Sequence, residues 1–198
     1  MRSEVELQQR RRDAEKAARE SQQVPEPQGL LAVFTGNGKG KSTAAFGMAW
    51  RAVMNKKKVG VVQFLGGSPK SAEFQSLGQH ALCTFKIFGA NCLWQSQVSQ
   101  HEKPEAVAAW VEVKRMMADP GIAMIICDEI NPLIQYQYLN LDTVIGVLKQ
   151  RRPDLHIVFT GRSAPIELLD FADLVTEMRE VKHPHTKYQL AAQPGIEF

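Results

Sequence analysis

From residue 30 onward the chain alternates between short β-rich apolar runs and stretches whose apolar residues recur at helical spacing. The runs lie near 30–35, 58–64, 83–88, 122–127, 155–160 and 173–177. Strands interleaved with helices predict a mostly parallel sheet, because a parallel pair needs a long crossover and a helix is its usual form. Between the strands the spacing predicts helices over 42–54, 104–118 and 141–151. In the second of these, Ala106, Ala109, Trp110, Val113 and Met117 share one face, which assigns Trp110 to the core, and Asp119-Pro120 ends the run. In the third, Leu141, Val144, Ile145 and Leu148 fall on one side. Helices covering both faces of such a sheet make a three-layer α/β domain.

Residues 1–23 follow neither pattern. They mix arginines, acids and glutamines with few large apolar groups, and Val24-Pro25-Glu26-Pro27 breaks any helix ahead of the first strand. The segment reads either as a helix-prone arm that orders against a ligand or a second subunit, or as a disordered tail. The expected division is therefore residues 1–27 as arm and linker and 28–198 as one nucleotide-binding domain, with no internal repeat.

Composition narrows the class. A chain of 198 residues that is 44% hydrophobic suits one domain with a substantial core, and no apolar stretch approaches the roughly 20 residues of a membrane span. The opening M-R-S-E-V-E-L-Q-Q-R lacks the apolar centre of a secretory signal, so the expectation is a soluble, cytoplasmic protein. Cys83, Cys92 and Cys127 form no C-x-x-C and suggest neither a disulfide framework nor a thiolate zinc site. A formal charge of +3 is too small to indicate nucleic acid, and Lys56-Lys57-Lys58 reads as a solvated loop before a strand.

The chemistry begins where the first strand ends. Leu30 to Thr43 reads L-L-A-V-F-T-G-N-G-K-G-K-S-T, an apolar run feeding a glycine-rich loop that closes on a helix start. Gly36, Gly38 and Gly40 let successive backbone N–H groups turn toward one centre, and the helix N-terminus faces the same anion. Lys41 is then placed on phosphates and Ser42 on a magnesium ion, with Thr43 completing the G-K-S-T turn. Thr35 stands where the general P-loop pattern has its first glycine, so the loop is a variant. A P-loop at the head of alternating strands and helices predicts P-loop NTPase, RecA-like architecture.

Two further strand ends add charge. I-A-M-I-I-C-D-E over 122–129 is a buried strand delivering adjacent carboxylates at the sheet edge where α/β folds bind ligands, and it looks like a Walker B element. Asp128 is the magnesium-side acid, reached through water; Glu129 could contact a ribose, position a water or hold the following loop. Arg162, in T-G-R, is a candidate clamp on a polyphosphate. Trp94 lies in a loop after another strand, where it reads either as a platform for a ligand or as core packing. His183 and His185 flank a proline and present no helical metal-binding face.

These stretches resemble the P-loop ATP:corrinoid adenosyltransferases, the cob(I)alamin adenosyltransferases of the CobA/BtuR group. The resemblance rests on V-F-T-G-N-G-K-G-K-S-T at 33–43, V-G-V-V-Q-F at 59–64, K-R-M-M-A-D-P at 114–120, C-D-E at 127–129, Y-Q-Y-L at 136–139, T-G-R at 160–162, A-D-L-V-T-E-M-R-E-V-K-H at 172–183 and the final G-I-E-F. It implies transfer of the 5′-deoxyadenosyl group of ATP to the cobalt of a reduced corrinoid, with release of triphosphate. Magnesium would be the cofactor, ATP and a corrinoid the substrates, and Lys41, Glu129 and Arg162 the residues at the reacting centre. Asn37 and Lys39 would complete the phosphate cradle. The resemblance further implies a homodimer, admits a reducing flavoprotein as partner, and gives the N-terminal arm a place over the corrinoid.

The match is uneven. Where related proteins carry G-F-T-W near the corrinoid, this chain has Asn91-Cys92-Leu93-Trp94, which keeps the tryptophan and puts Cys92 at the position of the phenylalanine. F-I-K-G becomes Phe64-Leu65-Gly66-Gly67, and D-E-L-T-Y becomes Asp128-Glu129-Ile130-Asn131-Pro132. An altered corrinoid preference is the first reading of these changes. The competing functions are a P-loop ATPase or small-molecule kinase, which would yield ADP, and a non-catalytic, nucleotide-gated corrinoid carrier.

Overall fold

The structure is a computed structural model that describes residues 28–89 and 103–196. Its centre is a six-stranded sheet made of β1 (Leu31–Thr35), β2 (Lys58–Gln63), β3 (Cys83–Ile87), β4 (Ile122–Asp128), β5 (His156–Thr160) and β6 (Leu174–Glu177). The spatial order is β3-β2-β4-β5-β1-β6 and every pairing is parallel. Around it lie α1 (Lys41–Met54), α2 (Ala72–Leu77), α3 (Lys103–Ala118), α4 (Asn131–Gln135), α5 (Leu141–Lys149), α6 (Ile166–Phe171) and α7 (Pro184–Tyr188). This is the RecA-like α/β arrangement, with β5 inserted between the loop-bearing β1 and the acid-bearing β4.

The central strands read as unbroken apolar runs because each face has its own helical cover. Ala32, Phe34, Met124, Ile126 and Val158 pack with Ala45, Phe46, Ala49 and Val53 of α1. Their neighbours Leu31, Val33, Ile125, Cys127, Ile157 and Phe159 point the other way, into a core shared with α3, α5 and α6. The period of two divides one run between two cores. Trp110 is in the second, 5% exposed and edge-on to Phe159. Among the described residues no helix is long and apolar enough to cross a membrane.

Two helical faces are rotated from the expected ones. In α3 the fully buried methionine is Met116, while Met117 only packs against the core margin. Gly60 of β2 is the cause: a Cβ there would stand 2.5 Å from the Met116 sulfur, so the missing side chain leaves the pit this methionine fills. In α5 the buried residues are Val144 and Leu148, with Leu141 and Val147 flanking them; Ile145 is only half-buried.

Candidate active site

The glycine-rich loop is held by the strand beside it. β1 ends at Thr35, and its carbonyl accepts from Met178 N–H at 2.8 Å, just past β6. Gly38 N–H then donates to the Met178 carbonyl at 2.7 Å. A Cβ on Gly38 would lie 2.8 Å from the backbone of Arg179, so only a glycine lets the loop lie flat on this segment. Thr35, at the position of the absent first glycine, accepts from Ala164 N–H at 3.2 Å and ties the loop strand to the β5–α6 connection.

α1 starts at Gly40, whose φ of 111° no L-residue adopts without strain, and no side chain caps it. Its first turn carries no acidic residue either. By contrast, Ser71 caps α2 and Asn140 caps α5 with side-chain oxygens. The open N–H groups of α1 therefore face the cleft with their partial positive charge. Lys41, 7% exposed, donates to the Gly38 carbonyl at 2.7 Å. Burial pushes its ammonium below the ordinary lysine value; Arg162 and Lys39 act in the same sense against the opposing pull of Glu129 and Asp128.

Sheet order fixes the acid at the end of β4. Because β5 and β2 flank that strand, Thr160 Oγ1 donates to Asp128 Oδ1 at 2.7 Å and Gln63 Nε2 donates to Oδ2 at 3.1 Å. The Thr160 hydroxyl also accepts from Glu129 N–H at 2.9 Å. Glu129 itself sits at φ 58°, a left-handed conformation that is costly for a non-glycine residue. Burial, reinforced by the Asp128 charge and opposed by Lys41 and Arg162, raises its carboxyl to about 7, and its Oε2 has no hydrogen-bond partner.

These groups converge on a cleft of about 760 Å³ at the carboxyl edge of the sheet. Its lining runs continuously from Asn37 to Thr43 and includes Asp128, Glu129 and the exposed Arg162. The motif residues from three separate strand ends are thus brought together: Gly38, Lys39, Gly40, Lys41 and Ser42 face Asp128, Glu129 and Arg162 across one space. Gly36 lies behind the loop, where a Cβ would strike Met178. His183 borders the cleft and its Nδ1 accepts from His185 N–H at 3.2 Å, which starts α7. Trp94, Cys92 and the arm over 1–27 lie outside the described residues. Neither described cysteine is poised as a nucleophile, since burial raises Cys83 to about 11 and Cys127 above its ordinary value.

Sequence reasoning passed over two residues here. Gln63, 8% exposed, grips Asp128 and lines the cleft. Asn131, fully buried, donates from one amide nitrogen to the carbonyls of Phe34 at 3.2 Å and Gly161 at 3.0 Å, so it joins the ends of β1 and β5 beneath the site.

The chain matches the family described as ATP:corrinoid adenosyltransferase BtuR/CobO/CobP over residues 27–198. It is similar to "Corrinoid adenosyltransferase CobA" of Salmonella typhimurium, with 40% identity over 176 residues and 89% of each chain covered. "Corrinoid adenosyltransferase" of Escherichia coli K12 is 37% identical over 191 residues, 96% of each chain. The protein of the same name from Pseudomonas aeruginosa is 38% identical, over 89% of this chain and 87% of the relative. Among solved structures, flagellar accessory protein FlaH from Methanocaldococcus jannaschii superposes with a TM-score of 0.52 over 76% of this chain and 71% of that one. At 15% identity this likeness concerns the fold alone.

Proposed function

The chain belongs to the ATP:corrinoid adenosyltransferase family, and from that premise we propose how its own residues carry the reaction. The enzyme transfers the 5′-deoxyadenosyl group of ATP to the cobalt of a reduced corrinoid. Cobalt(I) supplies the electron pair for the new cobalt–carbon bond and becomes formally cobalt(III). The bond between C5′ and its oxygen breaks, and triphosphate leaves with that pair. No proton is abstracted from the nucleophile, so the protein needs no general base. Its work is alignment, charge neutralisation and exclusion of water.

The observation that carries this reading is the convergence of Lys41, Arg162, Asp128 and Glu129 on the open N-terminus of α1. Lys41 and the N–H groups of residues 38–43 hold the phosphate chain, with Asn37 and Lys39 along its rim. On this reading Lys41 exchanges the Gly38 carbonyl for phosphate oxygen when ATP arrives. Arg162 neutralises charge on the departing triphosphate. Glu129 turns a buried acceptor oxygen toward the ribose, whose hydroxyls are donors.

Magnesium fits the same lining. The Asp128 carboxylate, held on both oxygens by Gln63 and Thr160, and the Ser42 hydroxyl are hard oxygen donors lining one cleft. Among the described residues no three His, Cys, Asp or Glu side chains gather into a metal cage. A cation that takes most of its oxygens from phosphate and water suits such a site. Ser42 and Asp128 would hold it, and when bound it neutralises charge on the triphosphate.

The same reading makes the enzyme a homodimer, supported by edge strand β6, where Leu174 and Val175 are exposed, and by Val181, 81% exposed beyond it. A reductant, a flavoprotein by class, supplies cobalt(I), and the use of ATP supports a cytoplasmic reaction. Residues 28–198 form the catalytic domain, supported by the extent of the family match. Anaerobic incubation with magnesium, ATP and chemically reduced cob(I)alamin tests the reaction. Light-sensitive adenosylcobalamin with one triphosphate per cobalt is expected. ADP with unmodified corrinoid would instead indicate an ATPase or kinase, and two bound ligands without product a carrier.

A further inference from the structure

Gln63 reaches the site by topology. Gln63 and Asp128 are 65 positions apart in sequence, but β2 and β4 pair in parallel and the register sets one opposite the other. The orientation of its carboxamide follows from chemistry. Asp128 offers only acceptor oxygens, so the amide nitrogen must face it, as the 3.1 Å contact has it, and Oε1 is forced to the other side. That oxygen is buried, lacks a hydrogen-bond partner, and belongs to a residue lining the cleft. A buried amide oxygen left unpaired is costly, and the contact of the amide nitrogen with Asp128 offsets that cost.

The neighbouring loop makes room for this oxygen. A Cβ on Gly67 would stand 2.7 Å from Ile87 Cγ2, 2.9 Å from Gln63 Oε1 and 3.1 Å from Gln63 Cβ. Most side chains at 67 would therefore displace the amide. Lys41, the buried cation of the cleft, donates to the Gly38 carbonyl and leaves Gln63 to hold Asp128.

We propose that Gln63 is a positioning residue that sets the affinity for magnesium–ATP: its amide nitrogen, at 3.1 Å from Oδ2, fixes the carboxylate of Asp128 in the orientation that meets the ion. The proposal rests on reading Asp128 as the metal-side acid. Residues that orient or complete a metal site in this indirect way typically change metal affinity 10- to 100-fold when removed.

Titration calorimetry of ATP against the full-length protein, at rising magnesium and separately in EDTA, tests it. Gln63→Met keeps the length and removes both amide groups. The expected result is a magnesium midpoint raised about tenfold with ATP affinity in EDTA unchanged within about twofold. The KM for magnesium–ATP should rise while kcat at saturating magnesium stays within about threefold. Equal losses with and without magnesium, or an unchanged midpoint, overturn the assignment. If wild-type ATP binding ignores magnesium, it is the metal reading of Asp128 that fails. Gly67→Ala gives a second route, because it displaces the amide without altering its chemistry; a smaller shift of the same sign is expected. Should Gln63→Met fail to fold, an unchanged midpoint in Gly67→Ala overturns the proposal equally.

Discussion

The two walls of the cleft are built by different means. The β1 wall is largely backbone: the loop carbonyls and N–H groups interlock with the chain leaving β6 at 2.7 and 2.8 Å, and the first turn of α1 is open. The β2 wall is side chain and loop. Gln63, Leu65 and Lys70 line it, and it meets the end of β3 through Phe88 N–H to the Gln63 carbonyl at 2.9 Å and a longer bond, Gly66 N–H to the Gly89 carbonyl at 3.3 Å. A backbone wall recognises phosphate, which is the same in every nucleotide. A side-chain wall can change its ligand by changing residues. The departure at Gly66 falls on the second wall and those at Ile130, Asn131 and Pro132 lie beneath the site, where Asn131 joins the ends of β1 and β5, while the glycine loop, Asp128 and Arg162 agree with the resemblance.

Removing the charge at the centre of the first wall is expected to have the largest effect. Lys41→Ala should lower kcat/KM for ATP about a thousandfold, or about 4 kcal/mol, because a buried ammonium no longer meets the leaving triphosphate. Corrinoid affinity, measured by spectral titration, should change less than about twofold. Equal loss of both affinities would break the division between the walls.

Glu129 stands on the floor between them and is expected to show its effect in stability. Its carboxyl rises from the ordinary 4.5 to about 7 in the folded protein. A raised acid contributes stability that is complete below the ordinary value and is lost as pH climbs through 7. Glu129→Gln removes that loss, so the nucleotide-free variant should match wild type at about pH 4 and exceed it at about pH 8, by at most about 3 kcal/mol. Thermal melts across that range check the sign; a pH-independent difference would mean the carboxyl does not titrate between the folded and unfolded states.

How much of this was legible in sequence follows the same contrast. All six strands could be read, since central strands buried on both faces are apolar runs of 5–7 residues; even β6, exposed throughout, was marked by its β-branched and apolar start. Helices α2, α4, α6 and α7 could not, because 5 or 6 residues span less than two turns and show no period. Lys41, Asp128, Glu129 and Arg162 were legible because each follows a strand. Gln63, Asn131 and Met178 were not. Their roles arise from which strand ends lie side by side, β2 with β4 and β6 with β1, and no local pattern encodes that order.

Corrinoid recognition is tested through Trp94. If the flat side chain packs on the corrinoid, Trp94→Ala should raise the corrinoid KM about tenfold, about 1.4 kcal/mol, and leave ATP binding unchanged. A loss of folding stability with unaltered KM would return Trp94 to the core.

The smallest effect is expected where a group is added to the second wall instead of removed. Gly66→Lys restores the residue of F-I-K-G. Nothing lies within 4 Å of the position a Cβ would take, so the side chain has room, but φ is 65° and an L-residue there is strained. The cost should be about 1–2 kcal/mol of stability. Lys70, four residues on, already lines this wall and supplies a cation from the same loop. If Lys70 has taken over the role, Gly66→Lys should lower the corrinoid KM by less than about twofold, and Lys70→Ala should raise it about threefold; adding Gly66→Lys to Lys70→Ala should then recover the loss. A gain from Gly66→Lys alone as large as its gain in the Lys70→Ala background would instead show two independent positions, and the second wall would owe its preference to residue 66 itself.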